Sequence, residues 1–255
     1  MYPLRANALK IFKAALAASD PFQAVKRRVS LKDNCLILNT DGKTKTFPVS
    51  RFRKIYVLGA GKAALPMALA VKEILGKRID RGLIITKYGH GRPLEGIQVI
   101  EAGHPIPDTK GHQGAREILN LAKEAHKNDL IIFLTSGGCS ALLPLPASPV
   151  TLSEKQKLTG LLIRSGAAIQ EINAVRKHLS LVKGGRLAEA AFPATVINLV
   201  LSDVIGDTLD VIGSGPFATD PATFQDAWNV LEQYHIIEKV PRRIIAYLSD
   251  RKSVV

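Results

Sequence analysis

The chain has 255 residues, 46% hydrophobic and 22% charged, with 20 Gly and 14 Pro. That composition gives one sizeable core and excludes intrinsic disorder. The net charge of +13 favours anionic partners, but it is spread over short clusters such as Lys26-Arg27-Arg28, and only 5% of residues are aromatic, so no nucleic-acid platform is expected.

No apolar run reaches membrane-spanning length; the longest candidates, Ile131–Leu134 and Val196–Leu201, are strand-sized. Met1–Asp20 is amphipathic, with Arg5, Lys10 and Lys13, and lacks the layout of a secretion signal. Cys35 and Cys139 are too few for a disulfide framework and lack metal-site spacing. A cytoplasmic protein without membrane contact is expected.

Helical spacing covers Ala6–Ala18, and Asp20-Pro21 opens a second short helix over Phe22–Val29. Cys35–Asn39 and Thr44–Pro48 read as a hairpin around Asp41-Gly42. Lys54–Leu58 is a buried strand, Gly59-Ala60-Gly61 a tight turn, and Lys62–Leu75 a helix stopped by Gly76. Strands follow at Gly82–Thr86 and Ile97–Glu101, then a helix over Thr109–Lys127 and an apolar strand over Asp129–Thr135. Helices are expected over Ser153–Ile169 and Ile172–Leu181, a strand over Thr195–Leu201, and closing helices over Ala222–Tyr234 and Arg242–Leu248. Apolar strands alternating with helices predict a mostly parallel α/β sheet covered on both faces, in one domain. Ligands of such sheets bind beyond the carboxyl ends of the strands.

Polar clusters fall at those ends. Gly59-Ala60-Gly61-Lys62-Ala63-Ala64 joins strand to helix, but Lys87 stands where a dinucleotide site wants an acid, and Tyr56 and Ala63 break the P-loop pattern. It remains a helix N-terminus whose N–H groups and Lys62 charge could hold an anion, the weaker alternative being a tight turn with a solvated lysine. Ser136-Gly137-Gly138-Cys139-Ser140 forms a second anion cradle. Leu142 breaks a hydrolase elbow there, and Cys139 reads as a small buried residue in preference to a reactive thiol.

Asn173, Arg176 or Lys177, Ser180 and Lys183 recur at helical steps, giving either a face for a carboxylate or phosphate or a solvated basic face; His178 lies one position off it. Asp203 and Asp207 follow the strand ending at Leu201, with Ser214 close behind. An aspartate there could hold Mg2+ or accept a hydroxyl proton, or merely start a turn. His104 and Asp108 belong to a proline loop that lines the cleft or is purely structural.

Taken together, Gly59–Ala64, Lys87-Tyr-Gly-His90-Gly, Glu101–Asp108, Ser136–Ser140, Glu171–Ser180, Lys183–Arg186, Leu201–Asp207 and Ser214-Gly-Pro216 resemble, in order, the type-2 glycerate kinases. The resemblance implies a Rossmann-like N-terminal domain over residues 1–255 and ATP- and Mg2+-dependent phosphorylation of D-glycerate, usually to 2-phosphoglycerate. It implies a catalytic role for Lys62; Asp203 is expected as a second catalytic residue and Asp207 as the metal ligand. Gly59, Gly61, Ser136, Gly137, Gly138, Ser140, Asn173, Arg176, Lys183 and Ser214 are then the residues expected to bind substrate and phosphate.

Cys139 departs from the usual glycine of that family. The family's C-terminal domain, called MOFRL, which completes the cleft in cis, is expected to be missing after Asp250–Val255, so turnover is expected to suffer more than binding. The oligomeric state stays open, a homodimer included. Two other functions remain alongside: an NAD(P)H-dependent hydroxypyruvate reductase and a non-catalytic anion-binding module.

Overall fold

The structure is a computed structural model that describes residues 3–40 and 42–251. Asp41 of the expected hairpin turn, residues 1–2 of the amphipathic N-terminus and residues 252–255 lie outside the described residues.

Two helices, α1 (Pro3–Ala18) and α2 (Pro21–Arg28), open the chain; Asp20 caps the second by accepting from the Gln23 N–H at 2.8 Å. They lead into a small antiparallel sheet of β1 (Val29–Lys32), β2 (Cys35–Thr40) and β3 (Lys43–Pro48). The main sheet begins with β4 (Lys54–Ala60), and α3 (Ala64–Leu75) ends on Gly76 at φ 57°. Next come β5 (Arg81–Lys87), β6 (Gln98–Ala102), α4 (Thr109–Glu124), β7 (Asp129–Ser136) and the one-turn α5 (Cys139–Leu142). The remainder is α6 (Leu152–Arg164), α7 (Ile169–His178), α8 (Arg186–Ala191), β8 (Thr195–Leu201), α9 (Phe224–Gln233) and α10 (Arg242–Ser249).

The main sheet is all parallel in the order β6-β5-β4-β7-β8. From β4 the chain runs outward through β5 and β6, then returns to β7 on the other flank. The topological switch point, where α/β folds hold ligands, therefore lies between the carboxyl ends of β4 and β7. Successive strand side chains point to opposite faces. Ile55 and Val57 of β4 and Ile132 and Leu134 of β7 join α2, α3 and the small sheet in one core, whereas Tyr56, Leu58 and Phe133 join α4, α5 and α8 in the other. The expected class, a parallel sheet with helices on both faces, is what the chain forms.

A third core, absent from the expected layout, packs α6, α7, α9 and α10 through Leu158, Leu162, Val175, Leu231 and Ile244. The helix expected over Ile172–Leu181 ends early, at His178. The segment around Leu145–Ala147 pairs with Leu179–Leu181 (Ala147 N–H to Leu179 O 3.2 Å, Leu181 N–H to Leu145 O 2.9 Å) and pulls the chain out of the helix. Two further expectations need correction. Val29 starts β1 instead of ending a helix, and Gly59-Ala60 belongs to β4, so the turn is Gly61–Ala63.

Candidate active site

The switch point is built on close backbone contact. A Cβ on Gly59 would stand 2.7 Å from Leu134 Cβ, and one on Gly61, at φ 146°, would stand 2.1 Å from Ser136 Oγ and under 3 Å from its backbone. Only glycine lets β4 and β7 end this close together. The Lys62 N–H then donates to Gly137 O at 2.9 Å, and the Ala63 N–H to the buried Ser136 Oγ at 3.1 Å. These bonds engage two of the N–H groups expected to be free at the head of α3, while among the described residues the Leu65 N–H takes no acceptor. Ala64 N–H goes to Gly61 O at 3.1 Å, and Pro66 has none to give. Gly59, Gly61 and Ser136 are thus buried beneath the site and shape its floor, where a direct role in ligand binding was expected.

What emerges from that floor is Lys62, exposed beside Gly137 and Gly138. A Cβ on Gly137 would meet Asp203 Oδ2 at 2.4 Å and Lys62 Cε at 3.3 Å; one on Gly138 would meet His104 Nε2 at 3.0 Å and Lys62 Cγ at 3.2 Å. The Lys62 stem therefore runs over both glycines, with Asp203, from the end of β8, on one side and His104 on the other. Burial, then the Lys62 and Lys87 charges, holds the His104 imidazolium below its usual range, so it is neutral at pH 7. Gly138 lies at φ 87° and opens α5; among the described residues, the N–H groups of Gly138, Cys139 and Ser140 take no protein acceptor. Three unspent donors thus sit in this turn beside Lys62.

Next to it is a hydroxyl and cation cluster. Arg176 Nη2 donates to Ser140 Oγ at 2.6 Å, Ser140 and Ser214 hydroxyls are 2.8 Å apart, and Ser214 donates to Asn173 Oδ1 at 3.4 Å. Lys183 Nζ reaches Ser140 O at 3.0 Å. Asn173, Arg176 and Lys183 of the expected face do converge, but Lys183 lies beyond the helix, so a shared helical face is not what brings them together.

Other expected residues lie elsewhere. Asp207 is exposed and lines a groove with Arg27, Arg28 and Asn198, apart from Lys62. Ser180 turns inward to Leu145 O at 3.3 Å. Lys177 is buried between Asp210 and Asp220, 3.1 and 3.2 Å away, and His178 packs edge-on against Phe224. Asp108 caps α4 through the Gly111 N–H at 2.9 Å and accepts from the Tyr88 hydroxyl at 2.7 Å, a structural role. Cys139 is fully buried, which pushes its thiol up to about 11 and removes it as a nucleophile, as its small-residue reading implied.

One site residue escaped the sequence reading. Lys155 of α6 shares the buried stripe of Leu158 and Leu162 and ends at Leu179 O, 3.1 Å away. A charged residue three and seven positions before buried leucines was the available signal.

A family described as a domain of unknown function, DUF4147, matches residues 7–249. A glycerate 2-kinase of Pyrococcus horikoshii is 45% identical over 94% of this chain and 53% of its own. A D-glycerate 2-kinase of Thermotoga maritima is 45% identical over 95% of this chain and 54% of its own. Among solved structures, a Pyrococcus horikoshii protein superposes with a TM-score of 0.89 at 43% identity, covering 98% of this chain and 56% of that one. The crystal structure of a Thermotoga maritima glycerate kinase gives 0.84 at 42% identity with the same coverage. The chain spans about half the length of the curated relatives it matches.

Proposed function

The chain belongs to the type-2 glycerate kinase family, and on that footing we propose that it binds D-glycerate and ATP at the β4–β7 switch point and supplies the groups that transfer a phosphoryl group between them, giving 2-phosphoglycerate. The observation that carries this reading is the meeting of Lys62 and Asp203 over Gly137. Phosphoryl transfer asks a protein chiefly for positioning and for neutralisation of charge on the transferred group. Lys62 supplies the charge, and the N–H groups of Gly138, Cys139 and Ser140 receive phosphate oxygens. Asp203 accepts the proton of the attacking hydroxyl as its oxygen bonds to phosphorus and ADP departs. Ser140, Asn173, Arg176, Lys183 and Ser214 hold the anionic acceptor.

A Mg2+ ion travelling with ATP draws most ligands from phosphate and water and needs only one or two protein carboxylates. Asp203 suits that demand, whereas among the described residues no group of three His, Cys, Asp or Glu forms a protein-only metal site. When bound, the ion supplies further neutralisation of phosphate charge. The test is ADP release with D-glycerate, measured for this chain alone and with the second half of a relative supplied in trans. Oxidation of NAD(P)H with hydroxypyruvate, in place of ADP release, overturns the reading in favour of a reductase. Tight D-glycerate binding with no turnover in either mixture favours a binding module.

A further inference from the structure

Beside the Lys62 cleft, and sharing Gly138, His104 and Ser140 with it, lies a cavity of about 830 Å³. Its outer wall is apolar, from Pro105, Ile106, Pro144, Leu152 and Ile163, and its base carries Lys155, Arg176 and Lys183. Lys155 is 7% exposed and Lys183 is 1% exposed. All three cations end on uncharged acceptors: Lys155 on Leu179 O, Lys183 on Ser140 O and Gly213 O, Arg176 on the Ser140 hydroxyl. Among the described residues none has a carboxylate at ion-pair distance, while neighbouring Lys177 has two. Buried like charges without a counter-ion are unfavourable, and they persist where a ligand brings the opposite charge. Burial first, then the neighbouring cations, pushes Lys155 well below its usual range; burial, then Arg176, pushes Lys183 down to about 7.

We propose that Lys155, Arg176 and Lys183 form the receptor for the carboxylate of the acceptor substrate, a small hydroxy acid, with Lys155 a binding residue of that site. The inference rests on the phosphoryl-transfer reading above. The Arg176 guanidinium lines the cavity with the Ser140 hydroxyl beside it, and its planar fork of N–H donors suits a carboxylate. Gly138 stands two residues before Ser140 and against the Lys62 stem, so the cavity and the Lys62 cleft adjoin at this turn. The phosphates of the nucleotide then belong to the other side of Gly138.

The test is calorimetric titration of the purified chain, as it stands, with D-glycerate, inorganic phosphate and ADP in turn, for wild type, Lys155→Met and Lys155→Gln. The expected result is a D-glycerate affinity at least tenfold weaker in both variants, with ADP affinity within twofold of wild type. Wild-type binding near pH 8 is expected to take up a proton, seen as heats that vary with the ionisation enthalpy of the buffer; this readout needs no variant. Unchanged D-glycerate affinity in a folded variant, no binding by the wild type, no proton uptake, or phosphate binding tighter than D-glycerate would each overturn the receptor. If D-glycerate binds as described but no ADP forms even with the second half supplied, the kinase reading fails and the receptor stands. ADP formation with an unchanged KM for D-glycerate in Lys155→Met has the opposite meaning.

Discussion

Gly137→Ala separates the chemistry of the site from its architecture. The added Cβ would stand 2.4 Å from Asp203 Oδ2 and 3.3 Å from Lys62 Cε, both ends of side chains that are exposed and free to move. Asp203 must retreat by about 1 Å to reach ordinary contact. No backbone atom is among the nearest obstacles, so stability should change by no more than about 0.5 kcal/mol. A misplacement of about 1 Å in a reacting group costs on the order of 10²-fold in rate. Urea denaturation and ADP release, run on the same preparation with the second half of a relative supplied, read the two effects. An unchanged rate would refute the placement of Asp203 and Lys62 over Gly137; a large loss of stability would refute the account of the obstacle. Gly61→Ala is the control, because its Cβ would meet Ser136 backbone at under 3 Å, and it should unfold the protein in milder urea.

Lys177→Met leaves Asp210 and Asp220 facing each other, and Asp220 Oδ2 already lacks a hydrogen bond, so a stability loss of about 3–5 kcal/mol is expected by urea denaturation. The pH dependence of stability tests Lys183, which faces Arg176 and Cys139. Its folded pKa of about 7 lies below the unfolded value of about 10.4. Between these values the unfolded chain binds more protons, so stability rises with pH from about 7. The buried thiol of Cys139, at about 11, acts in the opposite sense above about pH 8.5. The urea midpoint of wild type should therefore rise from pH 7 to 8.5 relative to Lys183→Met; parallel curves would remove the buried, depressed lysine.

The main sheet was legible because its strands are short apolar runs, and β8 was read to the residue at Thr195–Leu201. Four-residue β1 was not, since Val29 also continues the helical spacing of α2, and six-residue α8 carries too few turns to show a period. The end of α7 was misread because Ser180 and Lys183 keep helical steps, whereas pairing with Leu145–Ala147, distant in sequence, decides where the helix stops. In the site, Lys62, Ser140 and Arg176 were visible as residue types at strand ends and helix faces. The roles of Gly59, Gly61 and Ser136 were not, because which N–H groups are spent depends on how closely β4 approaches β7. Lys155 lay in an apolar stripe that reads as core. Asp203 and Asp207 are equivalent in pattern, and only the turn after β8 sends one to Gly137 and the other to a separate groove.

The most direct measurement of the central claim is the rate of D-glycerate-dependent ADP formation in Lys62→Ala, with the second half of a relative supplied. Lys62 is exposed, and its backbone N–H bond to Gly137 does not depend on the side chain, so the variant should fold as wild type does. Removing the charge that meets the transferred phosphoryl group should lower kcat by about 10²-fold or more. A folded Lys62→Ala protein that turns over at the wild-type rate would contradict the account.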